Sequence, residues 1–289
     1  MRSSRAELGT VHEVELSGGW LRYHERGSGR PVVFVHGLLV NADLWRHVVP
    51  GVAAAGLRCI APDWPLGSHE LAVPKADLSP PGVAALVAEL LERLDLQDVT
   101  LVANDTGGAI TQILMTQAPA RIGRVVLTPS DSFERFFPPM FSVLPALARV
   151  PAALWLLTRV LRFRALHRLP MTFGWLSKRP LPPEIIDSYL LPSRRDPAVR
   201  ADTRRFLRGV HRRHTLAAAA ALPGFSKPVL LAWALEDRLF PIELAHRLAR
   251  LLPDARVETI ADSYTFIPED QPQRLVELVA QFAHAGAPA

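Results

Sequence analysis

Val99-Thr100-Leu101-Val102-Ala103-Asn104-Asp105-Thr106-Gly107-Gly108 is the stretch on which the fold turns. Its first half is a short, mainly apolar run, the composition of a strand buried on both faces. Residues 107–117 then read as a helix. A buried strand that turns at once into a helix makes a tight, strained elbow, with room only for small residues two places before and two after its apex. Ala103 and Gly107 hold those places, and Asp105 holds the apex, where a nucleophile sits. Gly108 lets helix and strand pack closely. Capping of the following helix by Asp105 is the simpler alternative. It leaves the small residues on both sides without a reason.

Outward from the elbow, strands and helices alternate. Residues 11–15 and 20–24 alternate around Ser17-Gly18-Gly19, the pattern of an antiparallel hairpin. Residues 31–35 form another continuous apolar run, followed by a helix over 44–55, a strand over 57–61, a loop over 62–80 and a helix over 81–94. After the elbow come a strand at 125–128, a strand at 228–234, a helix at 242–252, a strand at 256–260 and a helix at 273–284. This order predicts a mostly parallel eight-stranded sheet with helices on both faces. Residues 132–223 differ in character, being rich in proline and aromatics and free of strand-like alternation. They read as a helical cap inserted after the sixth strand, between core segments 1–131 and 224–289.

Composition narrows the function. Of 289 residues, 49% are apolar, enough for a sizeable core. The net charge is +5, and the basic residues are nearly all arginine; the lysines are Lys75, Lys178 and Lys227. With no stripe of alternating basic and aromatic residues, nucleic-acid binding is not expected. Cys59 is the sole cysteine, which excludes an internal disulfide and a cysteine metal cluster. Its apolar neighbours make it a buried, inert thiol. The first ten residues lack the apolar centre of a signal peptide, and no apolar run reaches the roughly 18 residues of a membrane span. A cytoplasmic, soluble chain is expected. Neither a metal-binding cluster, a phosphate-binding glycine loop nor a dinucleotide fingerprint occurs, so no cofactor is expected. Residues 145–168 are apolar with arginines at 149, 159, 162, 164 and 168. Such a segment can lie on a membrane; the reading preferred is a cap helix with apolar residues over a pocket and arginines in water.

Further runs bring chemistry towards Asp105. Phe34-Val35-His36-Gly37-Leu38 ends the third strand, and its loop should face the elbow. The backbone N–H groups of Leu38 and Thr106 are then candidates for an oxyanion hole, and His36 is given a structural role. Asp237, in Leu235-Glu236-Asp237-Arg238-Leu239-Phe240-Pro241, either orients a base at the sheet's carboxyl edge or shapes an ordinary turn. Asp131 either approaches Asp105 or caps a helix. A carboxylate that close would raise one pKa and keep an acid protonated at neutral pH. Trp64 and Tyr189 are candidate substrate contacts.

From His36 to the C-terminus the chain resembles the α/β-hydrolase superfamily. With aspartate at the apex, it is similar to the epoxide hydrolase and haloalkane dehalogenase branch. His36-Gly37, Pro62-Asp63, the elbow and the turn from Glu236-Asp237 to Phe240-Pro241 carry the resemblance. It implies that Asp105 attacks an alkyl carbon to give an ester, that Asp237 supports a histidine, and that this histidine deprotonates the water that hydrolyses the ester. The loop that should hold the histidine reads Ile260-Ala261-Asp262-Ser263-Tyr264-Thr265-Phe266-Ile267-Pro268-Glu269-Asp270-Gln271-Pro272. Phe266 and the Pro-Glu-x-Gln-Pro run align without a gap and put Thr265 in the histidine position. A threonine hydroxyl is not basic enough to replace imidazole. His69, His167, His211 and His214 are the histidines the fold could bring in its place, each individually more in keeping with a surface residue. Thr106 and Leu38 also stand where dehalogenases place a halide-binding tryptophan and asparagine. Of the cap tyrosines of epoxide hydrolases only Tyr189 has a counterpart, with Tyr264 beside the altered position. Three functions follow: a hydrolase-like enzyme acting on a small apolar molecule through Asp105 as nucleophile or base; a lyase, isomerase or cyclase using Asp105 for proton transfer; and a ligand-binding protein without chemistry. The oligomeric state, a homodimer included, is left open.

Overall fold

The structure, a computed structural model, describes residues 4–150, 152–170 and 172–285. Eight strands, β1 (Thr10–Leu16), β2 (Gly19–Arg26), β3 (Arg30–Val35), β4 (Leu57–Pro62), β5 (Val99–Asp105), β6 (Ile122–Ser130), β7 (Val229–Ala234) and β8 (Ala255–Ile260), join in one sheet. Their order is β1-β2-β4-β3-β5-β6-β7-β8. The β1–β2 hairpin and its junction with β4 are antiparallel, and every pairing from β4 to β8 is parallel.

The continuous apolar runs at the centre of the sequence are explained by burial on both faces. In β3, Val33 and Val35 enter one apolar cluster with Leu101, Ala103, Leu231 and Trp233, while Val32 and Phe34 enter a second with Val102, Leu230 and Ala232. That split follows the two-residue period of a strand. Helices Pro80–Arg93, Thr106–Gln117 and Ile242–Leu251 close the first face, and Val49–Ala54 and Pro272–His284 close the second.

One expected element changes. The helix read over residues 44–55 is a 3-10 turn, Ala42–Trp45, followed by the short helix Val49–Ala54. Pro50 lacks an N–H, and its ring would collide with the carbonyl four residues back. It fits only in a helix's first turn.

Between β6 and β7 the described residues form helices Leu144–Leu147, Ala153–Val160, Pro183–Arg195, Pro197–Gly209 and Arg212–Ala221. The last packs on the core helix Thr106–Gln117. No helix among the described residues is long and apolar enough to cross a membrane.

Two buried contacts tie the insertion and the first loops to the C-terminal core. The Asp270 carboxylate accepts hydrogen bonds from the Ser177 hydroxyl and from the N–H groups of Lys178, Arg179 and Tyr264. Arg46 forms a bidentate pair with Glu269 at 2.5 and 2.6 Å, both side chains 5% exposed. Glu269→Ala would leave a guanidinium buried without its carboxylate. A loss of about 3–5 kcal/mol in urea unfolding is expected; a loss below about 1 kcal/mol would mean that solvent reaches the pair.

Candidate active site

Parallel strands deliver their carboxyl ends to one edge, and the loops that follow them meet there. Asp105 is the last residue of β5, with φ +55° and ψ −131°. That backbone is strained for any residue with a side chain. The side chain makes no capping bond to the helix it precedes. Its carboxylate instead faces the backbone N–H groups of Thr106 and Leu38, which oppose the rise of its pKa. The approach leaves no spare room. A methyl group on Gly37 would lie 2.1 Å from Asp105 Oδ2, and one on Gly107 would lie 2.3 Å from the Val35 carbonyl oxygen.

Two more carboxyls stand beside it. The Thr106 hydroxyl donates to Asp131 Oδ2 at 3.1 Å, while the buried Asp131 Oδ1 has no hydrogen-bond partner among the described residues. The Gln112 amide holds the Asp131 carbonyl at 2.9 Å. No helix begins at Asp131, so the capping alternative falls away. Asp237 Oδ1 accepts the N–H groups of Leu239 and Phe240, both at 2.7 Å, and its Oδ2 accepts the Thr265 hydroxyl at 2.8 Å. Asp237 therefore shapes its own turn and also reaches the loop after β8.

Burial governs the charges here. It raises the Asp105 carboxyl to about 6, opposed by the two N–H donors. It raises Asp237 to about 7 against its hydrogen bonds, with the charge of Asp105 adding to the rise. Asp131 is pushed well above the ordinary carboxylate range, first by burial and then by repulsion from Asp105. Three carboxyls in one apolar place cannot all ionise cheaply, and the charge of Asp105 opposes ionisation of Asp131.

A family model described as alpha/beta hydrolase fold matches residues 30–272. This chain belongs to the α/β-hydrolase fold family. A cis-3-alkyl-4-alkyloxetan-2-one decarboxylase of Shewanella oneidensis is 27% identical to it over 290 residues, covering 94% of this chain and 87% of that protein. Among solved structures, the epoxide hydrolase CorEH superposes with a TM-score of 0.80 at 20% identity, over 94% of this chain and 98% of its own. The haloalkane dehalogenase DatA of Agrobacterium tumefaciens C58 does so with 0.79 at 23%, over 98% and 99%. At these identities the two structures speak for the fold.

In this α/β-hydrolase-fold chain a cavity lies against Asp105 and Thr106. Its walls are otherwise almost wholly apolar, with Leu38 and Leu39 from the core and Phe141, Leu157, Leu161 and Phe173 from the insertion. Such a space suits a small apolar molecule.

Two sequence expectations are corrected. Trp64 does not line the cavity: it is fully buried, with its indole N–H donating to the Phe34 carbonyl at 3.0 Å and its backbone N–H to His36 Nε2 at 2.9 Å. Tyr189 is also buried away from the cavity, behind Phe173, with its hydroxyl environment set by Arg46 and Glu269. An apolar helix face points inward, but its period cannot say whether it meets a cavity or solid core. The Tyr264 ring lies under the Arg238 and Lys178 cations, 4.9 and 5.6 Å from its centroid.

The candidate histidines are engaged elsewhere. His36 is buried, its Nδ1 2.9 Å from the Gly37 carbonyl, and burial lowers its pKa to about 4. It props the loop as a neutral ring. His69 pairs with Asp202, His167 with the Leu161 carbonyl, His211 caps its helix through the Arg213 N–H, and His214 lies beside the Arg213 guanidinium. Among the described residues no histidine hydrogen-bonds to Asp105 or Asp237. Nor are any three histidine, cysteine or carboxylate groups among them placed to hold a metal ion.

Sequence reasoning passed over Asn104. Its amide donates to Thr128 Oγ1 and to the Thr265 carbonyl, each at 2.8 Å, pinning the loop after β8 to the elbow. Its place next to the apex, as a polar residue in an apolar strand, was the available signal.

Proposed function

We propose that this chain is a non-hydrolytic enzyme in which Asp105 opens a small, strained, apolar ring and is released without water. The observation that carries the proposal is Thr265: its hydroxyl, not an imidazole, bonds Asp237. An ester on Asp105 would then have no base to activate water.

A β-lactone with two alkyl substituents supplies what the site lacks. Asp105 Oδ attacks the saturated, alkyl-bearing ring carbon bonded to the ring oxygen, that C–O bond breaks, and the substrate is left with a free carboxylate. The carboxylate then departs as carbon dioxide. Its C–C bonding pair becomes the C=C bond, and the C–O bond to Asp105 breaks with its electrons returning to the aspartate. The N–H groups of Leu38 and Thr106 stabilise the returning charge. Neither a proton nor water is consumed. The likeness to an oxetanone decarboxylase over nearly the whole chain supports this substrate class, and so does the apolar cavity. Asp131 accepts the Thr106 hydroxyl, and its raised pKa limits the negative charge beside Asp105. With an epoxide or alkyl halide, the same attack would stop at the ester.

Asp105 must be ionised to attack, and its raised pKa means that the nucleophile is lost as pH falls through about 6. kcat/KM is expected to drop about tenfold per pH unit below that point and to level off above it. An activity that climbs from pH 7 down to pH 5 would contradict this assignment.

The direct test is incubation with a cis-3,4-dialkyl-oxetan-2-one in ¹⁸O-labelled water. Alkene and carbon dioxide are expected, with no labelled 3-hydroxy acid. Labelled hydroxy acid as the main product would restore hydrolysis, and saturable binding without turnover would leave a binding protein.

A further inference from the structure

Between Glu134 and Glu184 the sequence has no acidic residue. Within that stretch Arg149, Arg159, Arg162, Arg164 and Arg168 are exposed, and among the described residues no carboxylate pairs with any of them. The same stretch also turns large apolar side chains to solvent. Val150, Trp155, Leu156, Val160, Phe163 and Leu169 are exposed, with Leu156 at 56% and Phe163 at 54%.

Helix Ala153–Val160 explains how both properties arise. Leu154 and Thr158 are buried on its inner side, and Leu157 lines the cavity beside Asp105. Trp155, Leu156, Arg159 and Val160 fall on the opposite side by the helical period. The guanidinium of Arg159 lies 4.9 Å from the Trp155 ring centroid, and that of Arg162 lies 4.8 Å from the Phe163 centroid. Cations and apolar rings thus share one surface, where Trp and Arg can sit at the boundary between acyl chains and phosphates.

We infer that this face of the insertion docks on an anionic phospholipid bilayer. Charge decides the occupant: a lipid phosphate surface complements five guanidiniums that no carboxylate pairs among the described residues, whereas the same stretch of a second copy would bring five more and no carboxylate of its own. The docking helix is also a wall of the cavity. An apolar substrate dissolved in the bilayer would then meet the enzyme where its cavity wall touches lipid, whatever chemistry Asp105 performs.

Flotation of the full chain with phosphatidylcholine vesicles, with and without phosphatidylglycerol, tests this. The protein should float only with phosphatidylglycerol and be released by added salt. Arg159→Glu/Arg162→Glu and Trp155→Ser/Leu156→Ser should each weaken partitioning by about thirtyfold or more, with unchanged melting temperature. The control Arg93→Glu/Arg250→Glu, on the core, should leave it unchanged. The inference is overturned if neither vesicle is bound, or if the control pair loses as much as the cap pairs. It is equally overturned if Trp155→Ser/Leu156→Ser turns a dimer into a monomer while no lipid is bound, which would assign the face to a second copy.

Discussion

Asp105→Asn is expected to lower turnover of a dialkyl β-lactone by about 10⁴-fold or more while leaving the protein folded. Asparagine keeps the shape at the elbow and can still face the N–H groups of Leu38 and Thr106. It cannot form the ester, so the loss reports the covalent step and not a disturbed turn; removal of a nucleophile costs on this order in other enzymes. A second readout separates attack from release. With an epoxide or alkyl halide, the wild-type protein should gain the mass of one adduct on Asp105, and Asp105→Asn should gain none. Retention of more than about a hundredth of wild-type turnover, or an adduct on the variant, would remove Asp105 from the role of nucleophile.

The second large effect concerns Thr265. Placing histidine there puts an imidazole where a hydroxyl now bonds Asp237 at 2.8 Å. Asp237 would orient that ring as it now orients the hydroxyl, and the ring could take a proton from water. Thr265→His should therefore release the epoxide-derived ester, with water attack faster by about 10²- to 10⁴-fold, the usual worth of a positioned general base. On a β-lactone it should divert part of the product from alkene to 3-hydroxy acid. Thr265 is fully buried, so the melting temperature must be measured alongside. A folded variant whose ester still persists would show that something other than the base stops hydrolysis.

The proposed chemistry needs few groups. One carboxylate attacks and leaves, two N–H groups receive the charge, and the substrate's own carboxylate drives the release. The raised pKa values of Asp131 and Asp237 fit this economy. A site with three ionised carboxylates would repel the substrate carboxylate formed on ring opening. Carboxyls whose pKa values are raised by burial lessen that repulsion.

Several features were legible in the sequence because local chemistry forces them. The small residues around Asp105 are demanded by a turn in which a methyl group on Gly107 would strike the Val35 carbonyl. The unbroken apolar runs are demanded by strands buried on both faces, and Thr265 follows from counting residues between Phe266 and the proline-bounded helix start. Pro50 carried its own warning against a longer helix, in a stretch where the apolar pattern spoke more loudly.

Other features depended on which surfaces meet. Asp131 could have capped a helix or faced Asp105, and only the path of the chain beyond β6 separates the two. Trp64 and Tyr189 are both fully buried, but a hydrophobic period marks burial without distinguishing a cavity wall from solid packing. The exposed side of helix Ala153–Val160 is a matter of what lies against it. The sequence by itself determined the elbow, the sheet and the residue opposite Asp237, because these rest on steric limits within a few residues. The tertiary structure alone decided which carboxyls share one apolar place and so have their pKa values raised, because burial and Coulomb repulsion depend on distances between segments far apart in the chain.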